Sequence, residues 1–380
     1  MLLERLWLTD FRCHEASEVE VGSGVTVFAG GNAQGKTSVL EAVGWLARGS
    51  SIRGVPDAAL VRVGAEQAVV RAEIQPAGRG PEARAQLIEA EIAAVGRNRV
   101  LLNRRPLSRA RDILGTLRVT VFAPDDLHLV KGGPAARRAE LDELLVALSP
   151  RYDAVRVDYE RVVRQRNAWL RTWSRADDPT TLDVWDDQMT RIGAELVRGR
   201  LKLVERLTAP LGKAYGEVAG ASPSVTGAYE AAWAGGRQEE GVVLDESHLD
   251  DVAALMGVAV AGSRTADLER RMTLVGPHRD DWRLCIDGLD ARRFASQGEQ
   301  RSLTLAVRLA GHTVVTEVVG EAPVLLLDDV FSELDESRAA RLVAHLPEGQ
   351  ALVTTAGALP PGLAAERVIW VAGGRLVPRS

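Results

Sequence analysis

Cysteine is nearly missing from this 380-residue chain. Cys13 and Cys285 are too few for a disulfide framework, and no Cys/His cluster has zinc spacing. No stretch of 18 apolar residues occurs, which excludes a membrane-spanning helix. The opening Met1-Leu-Leu-Glu-Arg-Leu-Trp-Leu-Thr-Asp10 carries charges where a signal peptide needs an apolar stretch, so a reduced, cytoplasmic protein is expected. Positive charge is not in excess either: the net charge is −5, and any DNA contact would need a local basic surface. Aromatic residues make up 4%, and several tryptophans fall on helix faces. Duplex backbone is therefore a better-suited partner than stacked single-strand bases.

The chain is longer than one core usually holds, which predicts two lobes. Leu2-Leu3, Leu6 and Leu8 predict an opening strand, and Val25, Val27 and Ala29 a second strand entering the turn at Gly30-Gly31. Val39, Leu40, Val43, Leu46 and Ala47 follow at helical spacing. Residues 76–85 predict a surface loop. From about Pro134 to Leu207 the pattern is helical, with Tyr152 to Trp173 and Trp185 to Leu203 at heptad-like spacing around Asp178-Pro179. That reads as an antiparallel hairpin with arms of about 35 Å, or as a plain helical bundle. Residues 234–247 predict an exposed loop. Thr273-Val275 and Arg283-Ile286 are strand-like, and Val324-Leu-Leu-Leu327 is the strongest buried strand. An α/β domain split by a helical insertion results.

Gly30-Gly31-Asn32-Ala33-Gln34-Gly35-Lys36-Thr37 fits G-x-x-x-x-G-K-[ST] between a predicted strand and a predicted helix. Glycines are needed there because backbone N–H groups must wrap phosphates, and the helix start adds its positive dipole end. Lys36 would meet the β- and γ-phosphates of ATP, and Thr37 would offer its hydroxyl to Mg²⁺. Far downstream, Val324-Leu-Leu-Leu-Asp328-Asp329 is a buried strand ending in two acids, whose cost Mg²⁺ offsets. Asp328 would hold the metal and Asp329 would polarise the attacking water, although Glu is more usual there.

Ser332-Glu-Leu-Asp335 resembles the D-loop of ABC-type ATPases. Ser296-Gln297-Gly298-Glu299-Gln300, ahead of a helix with apolar Leu303, Ala306, Val307, Ala310 and Val314, partly resembles their S-G-G-Q signature. Gln297 and Glu299 depart from it. The resemblance implies that this surface serves the nucleotide of a facing subunit, and hence an ATP-dependent homodimer.

The resemblance narrows with Asp10-Phe11-Arg12, Pro124 to Gly132, Gln165-Arg-Asn167, Leu182 to Asp186, Gly276-Pro-His-Arg-Asp-Asp281, Ala295 to Arg301 and Leu325 to Asp335. Taken in order along the chain, these blocks resemble the RecF family, relatives of SMC and Rad50 heads without the long coiled coil. The resemblance implies an ABC/SMC-type P-loop ATPase head with an inserted helical second lobe. Its head halves would be 1–132 and 272–380, around a lobe at 133–271. It further implies DNA binding, weak DNA-stimulated ATPase activity, and help in loading the RecA recombinase at gaps with RecO and RecR. Thr355 ends its strand where a transporter-type ATPase would carry a switch histidine. Rival readings are an ATPase subunit of another machine and a nucleotide-gated scaffold.

Arg97, Arg99, Arg104, Arg105, Arg109 and Arg111 form a candidate DNA-phosphate cluster, with a solvated hairpin as the plain alternative. Lys131, Arg137 and Arg138 form a second. Arg53 could reach phosphate or be solvated. His278, beside Asp280 and Asp281, is read as structural or nucleotide-coupled. Cys13 and Cys285 are read as packing residues.

Overall fold

Val25–Ala29, rich in β-branched residues, lies at the centre of a six-stranded sheet, where its inner residues are buried on both faces. In a computed structural model describing residues 1–76, 85–174, 176–221, 223–235 and 242–378, the strand order in that sheet is Arg375–Pro378, Arg367–Ala372, Val25–Ala29, Ala351–Thr355, Val324–Asp328, Val119–Phe122. All neighbours are parallel except the Arg367–Ala372/Arg375–Pro378 hairpin. A second six-stranded sheet is antiparallel, in the order His14–Glu20, Leu2–Phe11, Gln67–Gln75, Gln86–Ala93, Arg99–Leu102, Arg105–Pro106. The helix Lys36–Arg48 touches strands of both sheets, so Val39, Leu40, Val43, Trp45 and Leu46 are all fully buried. It closes at Gly49 with a left-handed residue.

These elements form one of two compact units, made of Met1–Asp126, Gly216–Ala221 and Leu305–Ser380. The other comprises Leu127–Tyr215 and Ser222–Thr304. The sequence reading groups 272–380 together. Contacts instead place residues up to Thr304 with the helical unit, because Asp281–Ile286 pairs along Val225–Ala231 in a four-stranded sheet there.

Within that unit, Arg151–Thr172 and Asp183–Ala219 start as an antiparallel pair. The Trp169 and Trp185 rings lie 6.0 Å apart near the turn, while Tyr152 packs beside Gly199 further down. At 1.5 Å per residue the first arm is about 33 Å long, as expected, and the second helix is about 56 Å, much longer. Arg166 is fully buried between the arms and pairs with Asp186 at 2.8 Å and Asp267 at 2.7 Å.

Two local readings need correction. Thr273-Val275 forms no strand: the Thr273 backbone N–H donates to Asn167 Oδ1 at 2.7 Å instead of to a sheet. Within 234–247, Val242–Leu244 is a strand paired to Ala231–Tyr229. Residues 77–84 of the predicted loop at 76–85, and residues 236–241, lie outside the described residues.

Removing the buried cation tests the hairpin root. Arg166→Ala leaves Asp186 and Asp267 partly unneutralised and should destabilise by about 3–5 kcal/mol. Arg164→Ala, an exposed position on the same helix, should cost under about 0.5 kcal/mol. Thermal unfolding of both variants checks the contrast, and equal effects would contradict it.

Candidate functional site

The phosphate loop leaves its strand at Gly30, whose N–H donates to Thr355 O at 3.3 Å. Gly30 must be glycine because a Cβ there would lie 2.3 Å from the Val371 carbonyl. Gly35 must be glycine because its φ is +106° and Cys13 and His14 press on it. Gly31, Asn32 and Ala33 are exposed, and Lys36 begins the helix with only 7% exposure. Its Nζ donates to Gly30 O at 2.8 Å and Gly31 O at 2.7 Å, so the ammonium sits within the loop's own curve.

The strand Val324–Asp328 delivers its first acid to the same place. Thr37 Oγ1 donates to Asp328 Oδ1 at 2.8 Å, and Thr354 Oγ1 donates to the same oxygen at 2.7 Å. Burial pushes the Asp328 carboxyl up, an effect that the Thr354 and Thr37 hydroxyls oppose and the neighbouring Asp329 charge reinforces. Asp329 is in the left-handed region, φ 48°, and its N–H donates to Thr354 Oγ1 at 2.9 Å. Thr354 therefore ties both acids. Sequence reasoning missed it because only the parallel register, Asp328 opposite Thr354, brings it there.

An open cavity of about 800 Å³ faces this cluster, lined among others by Lys36, Thr37, Asp329, Thr354, Arg53 and Arg12. Arg53 thus reaches the cavity wall. Arg12 was legible only as part of a motif. Its guanidinium forks onto Glu41, with both bonds 2.9 Å, and Glu41 is fully buried and also accepts from Ser51 Oγ at 2.7 Å. Cys285 is buried, whereas Cys13 is exposed and lines the cavity, with its Sγ packed against Gly35. Thr355 is buried and its hydroxyl bonds within its own turn, to Gly357.

The signature segment lies in the helical unit. Ser296 N–H donates to Glu299 Oε2 at 2.7 Å and Glu299 N–H to Ser296 Oγ at 3.3 Å, a reciprocal cap on the helix Gln297–Val319. Ser296 and Gln297 are exposed, Gly298 is half-buried, and buried Gln300 donates to Ala295 O at 3.1 Å. Leu303, Ala306, Val307, Ala310 and Val314 are all buried as predicted. Asp335 caps the helix Glu336–Ala344, and its bond from the Arg338 N–H, first among several, pulls its carboxyl down to about 2.

A family profile described as "RecF/RecN/SMC N terminal domain" matches residues 2–357. The chain is 47% identical to the DNA replication and repair protein RecF of Frankia alni over 98% of each protein. The chain belongs to the RecF family. A solved structure described as the recombination mediator protein RecF-ATPrS in the RecFOR pathway is 27% identical, with a TM-score of 0.88 over 100% of this chain and 98% of that one. An SMC head bound to the C-terminal winged-helix domain of ScpA, 16% identical with a TM-score of 0.58 over 100% and 97%, shares the fold. The fold is that of an ABC/SMC-type ATPase head with a helical second unit.

The remaining residues singled out in the sequence divide clearly. Arg97, Arg99, Arg104, Arg105, Arg109 and Arg111 are all exposed, on the outer strands of the antiparallel sheet and the turns beside them, with Arg99 near Glu91 at 3.6 Å. Of the second basic group only Lys131 is exposed. Arg137 is buried and forks onto Asp281 with two 2.8 Å bonds, and Arg138 donates to Asp280 O, so neither presents a DNA surface. Gly276–Asp281 is held by buried polar contacts. Asp280 is buried and accepts from Tyr229 Oη at 2.6 Å and Trp233 Nε1 at 2.7 Å, and burial pushes its carboxyl up to about 7. His278 is held by Tyr159 at 2.8 Å, and burial lowers its imidazole to about 4.

The cap at Ser296 carries its own expectation. Ser296→Ala should lower stability by about 1 kcal/mol through loss of one half of the reciprocal cap. Glu299→Ala should do the same, and the double variant little more, since each single change opens the same pair. Thermal unfolding without nucleotide reads this; additive losses would refute a shared cap.

Proposed function

We propose that this protein is an ATP-driven DNA clamp of recombinational repair and replication restart. Two copies would join on DNA around two nucleotides and part after hydrolysis. The observation that carries the reading is the convergence of Thr37 and Asp328 on one hydrogen bond at the cavity, beside the exposed loop residues Gly31, Asn32 and Ala33. In this reading Gly30 to Thr37 hold the nucleotide, with Lys36 exchanging two loop carbonyls for the β- and γ-phosphates.

Magnesium fits the donor set. Thr37 Oγ1 and Asp328 Oδ1 are hard oxygens on adjacent elements, and Mg²⁺ typically takes one or two protein oxygens with phosphates and water. No group of three or more His, Cys, Asp or Glu among the described residues could hold a metal alone, so the ion would come with its nucleotide. Bound there, it neutralises phosphate charge. Asp329 orients the attacking water, and Ser296 to Gln300 with Asp335 complete the facing protomer's site.

Family membership makes the protein an ATPase of the RecF/SMC type. Weak turnover, stimulated by DNA, is part of the proposal, as is a cytoplasmic location. No helix among the described residues is long and apolar enough to cross a membrane. The RecFOR pathway named for the RecF-ATPrS structure supports RecO and RecR as partners, and help in loading RecA at gaps is part of the proposal. Arg104, Arg105 and Arg109 would contact duplex backbone regardless of sequence.

Complementation tests the shared site. Ser296→Arg should bind ATP like the wild type but neither dimerise nor hydrolyse it, whereas Lys36→Ala should lose ATP binding with its fold intact. Mixing the two should restore part of the activity, because one composite site then joins an intact loop to an intact signature. Sedimentation with ATP and duplex DNA, together with ATPase rates, measures this; a Ser296→Arg protein that dimerises normally removes the shared-site reading.

Charge reversal tests the DNA surface. Arg104→Glu with Arg105→Glu should weaken DNA binding, leave ATP affinity unchanged, and flatten the log–log salt slope by roughly 0.9 per lost phosphate contact. An unchanged slope returns these arginines to solvent.

A further inference from the structure

The back of the phosphate loop is as closely built as its front. The turn between Leu2–Phe11 and His14–Glu20 lies against it, with Arg12 in the left-handed region at φ 53°. His14 is fully buried there, although it is a titratable residue with no place in nucleotide chemistry. Its Nε2 lies 3.1 Å from Gly35 O, and its Nδ1 lies 3.1 Å from Ser17 Oγ, which itself is 2.9 Å from Gly374 O. On the other side, Gly373 N–H donates to Gln34 Oε1 at 2.8 Å and Gly374 N–H to Gln34 O at 3.1 Å. Two distant turns thus grip consecutive loop residues, Gln34 and Gly35. The fit is close: a Cβ on Gly35 would lie 2.9 Å from His14 Nε2, and one on Gly374 would lie 2.1 Å from Cys13 O.

We infer that His14 is a positioning residue of the phosphate loop, fixing the Gly35 peptide through an Nε2–H bond to its carbonyl. This rests on the reading that the loop binds nucleotide phosphates. A carbonyl only accepts, so Nε2 must carry the hydrogen. Ser17 Oγ has a single hydrogen, which serves either Nδ1 or Gly374 O. Burial lowers the imidazole's affinity for a proton, which suits the neutral Nε2–H form. The Ser17 hydroxyl is placed to donate to Gly374 O, and whichever neighbour takes its hydrogen, the Nε2–H bond to Gly35 O is kept. The consequence is directional. The Gly35–Lys36 peptide N–H belongs to the helix start that faces the anion, so a carbonyl pinned from behind pre-orients that N–H in front. Without the pin, part of the binding free energy is spent on ordering the peptide.

Side-chain replacements separate positioning from simple filling. A glutamine amide nitrogen falls near the place of Nε2, whereas an asparagine amide reaches only the place of Nδ1. ATP affinity by calorimetry, with thermal unfolding in the absence of nucleotide, should be measured for the wild type, His14→Gln, His14→Asn and His14→Ala. His14→Gln should stay within about threefold of wild-type affinity, while His14→Asn and His14→Ala should lose about tenfold, the worth of one hydrogen bond. If His14→Ala does not fold, the Gln/Asn pair decides alone. Equal affinities for Gln and Asn, or Asn above Gln, would overturn the inference. A wild-type protein that fails to bind ATP would instead remove the nucleotide reading, and the inference with it.

Discussion

The carboxylate of Asp328 is the point on which the nucleotide-binding unit depends. A half-buried acid at the end of an apolar strand must find hydrogen bonds, and it takes them from Thr37 on the loop helix and Thr354 on the neighbouring strand. Those two bonds set where the helix start lies relative to the sheet. The rest of the helix cannot adjust independently, because it is buried against two sheets and carries Glu41 into the core. That second buried acid is tolerable only with Arg12 and Ser51 upon it. Two desolvated carboxylates, one above the helix start and one within it, therefore add directional bonds to the apolar packing that fixes the loop's position.

The helical unit uses the same principle with the signs reversed. Arg137, Arg166 and Arg200 are buried cations, each forked onto or flanked by carboxylates: Asp281, Asp186 with Asp267, and Asp142. Arg200 also donates to Pro277 O at 2.8 Å, so the Gly276–Asp281 segment is fastened from both the long helix and the helix carrying Arg137. Several residues of the RecF-type motifs here, Arg166, Asn167, Asp186 and Asp280 among them, place their polar groups on partners within this unit: Asp186 and Asp267 on Arg166, Thr273 on Asn167, Tyr229 and Trp233 on Asp280. Buried polar sets of this kind admit few alternative packings, and that accounts for motifs lying outside the cavity wall.

Short-range patterns in the sequence were enough to read the loop, the acidic strand, the signature helix and the helical hairpin, because each is written in consecutive residues or at helical spacing. What they missed is made by pairing across long separations. Thr354 meets Asp328 through sheet register, and Arg12 meets Glu41 because a hairpin turn lies beside a helix. The same limit explains the errors. Arg137 and Arg138 look like a basic surface in sequence, yet their partners, Asp281 and the Asp280 carbonyl, lie far along the chain. Thr273-Val275 has β-forming residues but no neighbouring strand, and Asn167 and Asp267 satisfy its backbone instead.

The departures from the S-G-G-Q signature have a physical reading in the cap. Glu299 stands at the third position of the helix, where a glutamate can reach back to the N–H of Ser296, and it does so at 2.7 Å. The exchange consumes one backbone donor that would otherwise face an anion. It also fixes the serine. Ser296 Oγ accepts from the Glu299 N–H through a lone pair, which leaves its O–H to donate outward. A signature built this way would offer a phosphate the Ser296 hydroxyl but not the Ser296 N–H. Glu299 also brings a negative charge close to any phosphate that approaches, so closure of two protomers would have to overcome that repulsion.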